Sequence, residues 1–418
     1  MHSAGTLHGQ LQRGLGRAAR RAADTPGAGE YVYDCIRRDP RFDPHCETRG
    51  LYYARLMVDL ELPTGPVAEH LFDPADSGRG DGDEWRVQLA LDVLTELVRL
   101  SRREAAGPLR RYAEEGDHWF DALDALAGLR DPALAAGMDA LVAARCDDAE
   151  LACLISDPDN PVFESWASRR PRIAAALARA RARENGRPRW PAARRAGDRG
   201  DRSARSEAEL LDMARRRDDG AVAAIFELGR RRAPGLLDLA EEILPQRPNR
   251  WGGAVCRALR QYGPEAVPRA RHWATKRGGC ADIGLSILAR YGTHQDIPLL
   301  MNELREALER RDWRSAAGPI EGLGRLRAGE AVPLLKTAWT ESTYSFLRPR
   351  VLTALTRTAP HTAESYTIEG LWDCEEGVRQ VAAQTAPLTP ETRIRLQRLH
   401  HDDAEEPGVR AAAASRLM

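Results

Sequence analysis

The chain has 418 residues, more than one ordinary hydrophobic core holds, but a length that suits a stacked array whose core grows with each added unit. Lysine plus arginine and aspartate plus glutamate both number 62, so no net field draws the molecule to nucleic acid or to an anionic membrane. Aromatics are few and β-branched runs nearly absent, which argues against a sheet domain, and no apolar run approaches the ~18 residues of a membrane-spanning helix.

Residues 1–29 read as a basic N-terminal helix or tail. Leu7, Leu11 and Leu15 recur every four residues beside Arg13, Arg17, Arg20 and Arg21, and no acid precedes Asp24. Such a segment can lie on a membrane surface or cap the end of a helical array. A first helical block, 30–164, opens with two Asp-Pro turns, Asp39-Pro40 and Asp43-Pro44, and continues through Tyr52, Tyr53, Arg55 and Leu56. The acids of the polar loop 73–84 do not fit the calcium-loop pattern. Beyond it, Trp85, Leu89, Val93 and Leu97 line one helix, and Trp119, Phe120, Leu123 and Leu126 another.

The interval 165–205 shifts in composition. From Arg169 to Arg205 there are thirteen arginines against three acids, Glu184, Asp198 and Asp201, which reads as an Arg-rich helix followed by a linker. The last block, 206–418, carries the clearest repetition. Gly229, Gly263, Gly292 and Gly324 are spaced by 34, 29 and 32 residues, preceded by Leu228, Tyr262, Tyr291 and Leu323 and followed by Pro234, Pro268, Pro298 and Pro333. The glycines are expected to close first helices in the left-handed conformation, and the prolines to open second ones. Trp313 to Ser342 is the best copy of this hairpin. Val378-Arg379 with Ala382-Ala383 returns 31 residues later as Val409-Arg410 with Ala412-Ala413.

On the Leu-Gly plus Pro-Leu-Leu frame and the Val-Arg-x-x-Ala-Ala helix, the chain resembles the HEAT-repeat family, in particular its short phycobilisome-lyase-like units. Its front end is similar to that of bacterial HEAT-repeat proteins. The resemblance implies an all-α fold, an α-solenoid of stacked antiparallel helical hairpins, in which each hairpin touches its neighbours and the inner helices make a curved surface.

The function expected of such a surface is non-catalytic recognition of a protein or peptide partner in the cytoplasm. The concave-face candidates are Trp251, Trp273, Trp313, Trp339 and Trp372 with Arg250, Arg314, Arg325, Arg348 and Glu321, since tryptophan and arginine dominate interface hot spots. The alternative is nucleic-acid binding, with Arg169, Arg170, Arg172, Arg179, Arg183, Arg187 and Arg189 on phosphates and Trp190 stacking. A third reading is a base-processing repeat enzyme. A DNA glycosylase group is built on HEAT-like helices, but the Trp119, Asp121, Asp124 spacing departs from its Trp–Asp pattern.

No catalytic residue, cofactor or metal site is expected. Neither a His-Glu pair of the HEAT-like di-iron kind nor a phosphate-cradling glycine loop occurs. His400-His401-Asp402-Asp403 has no second ligand set, and the seven cysteines form no CxxC pair.

Overall fold

The computed structural model describes residues 1–73, 87–186, 205–217, 220–246, 251–276 and 278–418; Trp85, Arg187, Arg189, Trp190 and Arg250 lie outside them. Among the described residues every regular element is a helix, and there is no strand. None of these helices is long and apolar enough to cross a membrane. The chain divides into two compact units. Unit 1 is Met1–Pro188 with Glu341–Pro349 and Glu364–Met418, and unit 2 is Arg189–Thr340 with Arg350–Ala363.

Local chemistry sets the helix ends. Asp147 and Glu150 form a reciprocal capping box ahead of Asp148–Leu154, and Ser206 and Glu209 do the same ahead of Glu207–Arg216. The repeated prolines fall where expected. Pro268, Pro298 and Pro333 sit in the first turns of Val267–Thr275, Ile297–Arg310 and Val332–Glu341, where no N–H partner is lost.

The glycines require a correction. None of Gly229, Gly263, Gly292 and Gly324 has positive φ; after the first helices Ala221–Arg231 and Trp313–Arg325 the left-handed turns fall instead on Arg232 and Arg327. Gly229 and Gly324 lie inside their helices, and their role is close approach. A Cβ on Gly229 would stand 2.8 Å from that of Ala258, and one on Gly324 would stand 2.7 Å from Cα of Ala354, a residue of the next hairpin. At these two positions glycine is needed because the helix nearly touches its counterpart one repeat on.

In unit 2, Glu207–Arg216 pairs with Ala221–Arg231, Val267–Thr275 with Ala281–Tyr291, and Ile297–Arg310 with Trp313–Arg325. First helices also pack on one another: Ala221–Arg231 on Gly252–Leu259, and Ala281–Tyr291 on Trp313–Arg325. Arginine staples the hairpins at about one repeat's distance. Arg271 pairs with Asp296 at 2.6 Å, Arg350 with Glu321 at 2.6 Å, and Arg325 donates to the carbonyls of Ala289 and Gly292 at the end of the preceding first helix. The buried Tyr262 hydroxyl donates to the Ala233 carbonyl at 2.6 Å. Tyr262→Phe should therefore cost about 1 kcal/mol in urea unfolding, and a loss near zero would show that this carbonyl has another donor.

Unit 1 has a different connectivity. Its early helices form a continuous core from Leu7 to Leu177 that also takes in Cys374. The first segment breaks at Gly14, φ 70°, into Leu7–Arg13 and Gly16–Ala22, and Leu11 and Leu15 are wholly enclosed. These helices hold residues more than 300 positions on. Arg17 pairs with Glu369 at 2.9 Å, Arg20 with Glu391 at 2.7 Å, and Arg55 with Asp402 and Glu405 at 2.6 and 3.0 Å. The Cys374 N–H donates to the Gly14 carbonyl at 2.9 Å, and a Cβ on Gly16 would lie 1.9 Å from the Glu369 carbonyl. Packing between sequence neighbours alone does not describe this clasp. It exists because the polar groups of residues 341–405 find their partners in residues 12–55.

The clasp is polar as well as apolar. Arg49 and Glu47, both fully buried, pair at 2.9 Å, and Arg49 also donates to the Gln12 carbonyl and, at 2.8 Å, to that of Thr343. Glu47 accepts from the Ser345 N–H at 2.7 Å, and the Ser345 hydroxyl donates to Glu375 at 2.8 Å. Arg348, also fully buried, holds Asp373 at 2.7 Å and lies 3.0 Å from the Cys374 thiol. Buried charges survive only when paired; here each guanidinium has its carboxylate, although Arg49 Nε and Arg348 Nη1 have no acceptor.

Candidate functional site

Above the clasp, unit 1 holds a cleft of about 440 Å³. One wall is the helix Gln88–Arg99, whose residues Gln88, Asp92 and Glu96 recur at four-residue spacing on the face adjoining that of core residues Leu89, Val93 and Leu97. The helix Trp119–Gly128 contributes Asp121 and Asp124. The helix Glu376–Thr385 contributes Glu376 and Arg379, with Glu406 beside them and Cys374, Thr48 and Gly50 also lining the cleft.

Each wall is fixed by bonds. Asp92 accepts from Gln88 at 3.0 Å and from the buried Arg41 at 3.2 Å. Glu96 accepts from Arg99 at 2.7 Å through one oxygen, while its other oxygen, Oε2, is enclosed with no hydrogen-bond donor. Arg379 is committed to Glu405, at 2.9 and 2.7 Å, and to the carbonyls of Asp373 and Cys374. It therefore offers the cleft little free charge.

Electrostatics follow from this enclosure. Desolvation pushes the Asp92 carboxyl above the usual range, against the opposing pull of Arg41. Desolvation also raises Glu96, against the pull of Arg99. Asp124 is raised by desolvation and then by repulsion from Asp121, and Glu376 by desolvation and then by Glu406. Four carboxyls on three helices are thus held at a cost to their charged forms, and a bound cation would relieve it. Among the described residues no three His, Cys, Asp or Glu side chains converge as metal ligands.

The sequence-derived site residues fall elsewhere. Trp273, Trp313 and Trp339 are buried, the first donating through Nε1 to Glu241 at 2.6 Å. Arg348 is enclosed on Asp373. As core groups these four cannot line an open face, and the reason is plain: a large side chain at repeat spacing fills the space between hairpins. Trp251 is half-buried, and Trp372 is flanked by the guanidiniums of Arg20 and Arg395, each 5.2 Å from its ring centre. Arg314 is exposed; Glu321 and Arg325 are taken up by the staples described above. In the Arg-rich stretch, Arg169 and Arg170 pair with Asp139 at 3.7 and 2.9 Å, and Arg172 with Asp148 at 2.8 Å. Arg179 and Arg183 are exposed.

The acidic cleft was not anticipated. The stripe Gln88, Asp92, Glu96 is a readable signal, but by itself it is the pattern of any solvated helix face. What makes it a wall is the arrival of residues 374–406. No family model, no curated protein and no solved structure matches the chain.

Proposed function

We propose that this protein is a non-catalytic, HEAT-like helical-repeat scaffold of the cytoplasm that recognises a protein partner by taking one of its basic side chains into the acidic cleft. The observation that carries the reading is the lining itself: Asp92, Glu96, Asp121, Asp124, Glu376 and Glu406 face a volume of about 440 Å³, and its two arginines, Arg99 and Arg379, are already paired. A guanidinium or ammonium entering there gains opposite charge on several sides in a partly desolvated site. A phosphate-bearing ligand meets repulsion at the same place. The staples between hairpins at repeat distance support the solenoid reading of unit 2, and seven cysteines that are all free thiols suit a reducing compartment.

The test is fluorescence anisotropy with labelled arginine-rich, neutral and acidic peptides of equal length. The arginine-rich peptide should bind, with affinity that falls as salt rises. The variant E96Q/D124N/E376Q should weaken it at least tenfold with helicity unchanged. Equal affinity for the basic and acidic peptides, or no response to the triple variant, would remove the cleft as the recognition site.

A further inference from the structure

The Arg-rich helix Pro171–Gly186 has a second cleft beside it, also within unit 1, of about 540 Å³. Two of its four arginines are spent on acids of the preceding helices, Arg172 on Asp148 and Arg181 on Glu164. Two are not. Arg179 and Arg183 line the cleft one helical turn apart, and among the described residues neither has a hydrogen-bond or ion-pair partner. Like charges at that spacing repel. Asp148 feels Arg179 electrostatically but is hydrogen-bonded by Arg172, so both cleft guanidiniums keep their N–H donors for an anion.

We infer that this cleft binds a single phosphate monoester, held by Arg179 and Arg183. Two guanidiniums on one helix face present several N–H donors to one phosphate group, the geometry in which arginine outperforms lysine. The floor is apolar, with Ile155, Pro158 and Ala176, and receives the organic part of the ligand. The volume is in the range of small-molecule sites, roughly 300–1,000 Å³. Asp148 and Glu184 also line the cleft and oppose further phosphates, so the site favours one phosphate over a nucleic-acid strand. The group can arrive on a small metabolite or on a phosphorylated peptide, since both present the same dianion.

Isothermal titration distinguishes these sources. The full chain is titrated with adenosine 5′-monophosphate and with a phosphoserine hexapeptide, each beside its dephosphorylated form. At least one phosphorylated probe should bind tenfold or more tighter than its dephosphorylated counterpart. R179A/R183A should abolish that preference, R179K/R183K should weaken it severalfold, and E96Q/D124N/E376Q, which alters the other cleft, should leave it intact. Preference for the nucleotide identifies a free metabolite, and preference for the hexapeptide identifies a modified partner. Equal binding of phosphorylated and dephosphorylated forms, or an unchanged preference in R179A/R183A at unchanged thermal stability, overturns the inference. So does tighter binding of a 20-nucleotide single strand whose salt dependence reports several phosphate contacts.

Discussion

Replacing Arg348 with methionine should lower the unfolding free energy of unit 1 by about 3–5 kcal/mol, the usual consequence of leaving a buried charge without its partner. Asp373, itself fully buried, would lose the guanidinium that meets both its oxygens at 2.7 to 3.3 Å, and Cys374 would lose its neighbour at 3.0 Å. The double variant R348M/D373N should recover most of that loss, because two neutral groups of similar volume need no mutual compensation. Urea unfolding followed by circular dichroism reads both. A single variant within 1 kcal/mol of the parent would mean that water reaches Asp373, and the account of a dry clasp would fail.

Acid should act on the same clasp through Glu405. Burial alone would raise this carboxyl, but the guanidiniums of Arg379 and Arg55 and the Glu406 N–H outweigh burial and hold it down to about 2, against an ordinary value of 4.5. A carboxyl whose folded-state pKa is depressed stabilises the fold above its unfolded value. That contribution, on the order of 3 kcal/mol, is lost as pH falls from about 4.5 through about 2. The cleft carboxyls Asp92, Glu96, Asp124 and Glu376 run the other way. Their values are raised, so protonating them favours the folded chain. Stability should accordingly rise slightly as pH drops toward the usual carboxylate range, then fall steeply below it. Glu405→Gln should lower stability at neutral pH and flatten the acid limb. Parallel acid limbs for the two proteins would assign the loss to other groups.

How much of this was legible in the sequence depends on the distance over which each feature is made. Helix positions and the prolines that open second helices are local, and they read correctly from periodicity and backbone chemistry. Glycine at the repeat was equally visible but served a tertiary purpose: Gly324 is small because Ala354 passes close by, and a single chain segment carries no sign of that neighbour. The tryptophans were ambiguous for a related reason, since a residue that fills space between hairpins and one that lines a groove share the same spacing. Arginine enrichment gave no hint of its use. Arg325, Arg395 and Arg416 donate to carbonyls 24 to 37 residues away, and these contacts need the helices already packed. The acidic cleft lies furthest from view, because its opposing walls are contributed by residues near 92 and near 376.

The clasp also bears on how the protein is made. Arg17, Arg49 and Arg55 leave the ribosome long before Glu369, Thr343 and Glu405 have been synthesised, so unit 1 cannot close its clasp until residues 341–405 have been made. Throughout that interval Arg17 and Arg55 await acids that do not yet exist. Such long-range closure slows folding and leaves sticky surface open to association. A nascent chain halted near residue 340 should therefore recruit chaperones through its first sixty residues, and a premature stop before Asp373 should yield an aggregating product rather than a shortened, functional one.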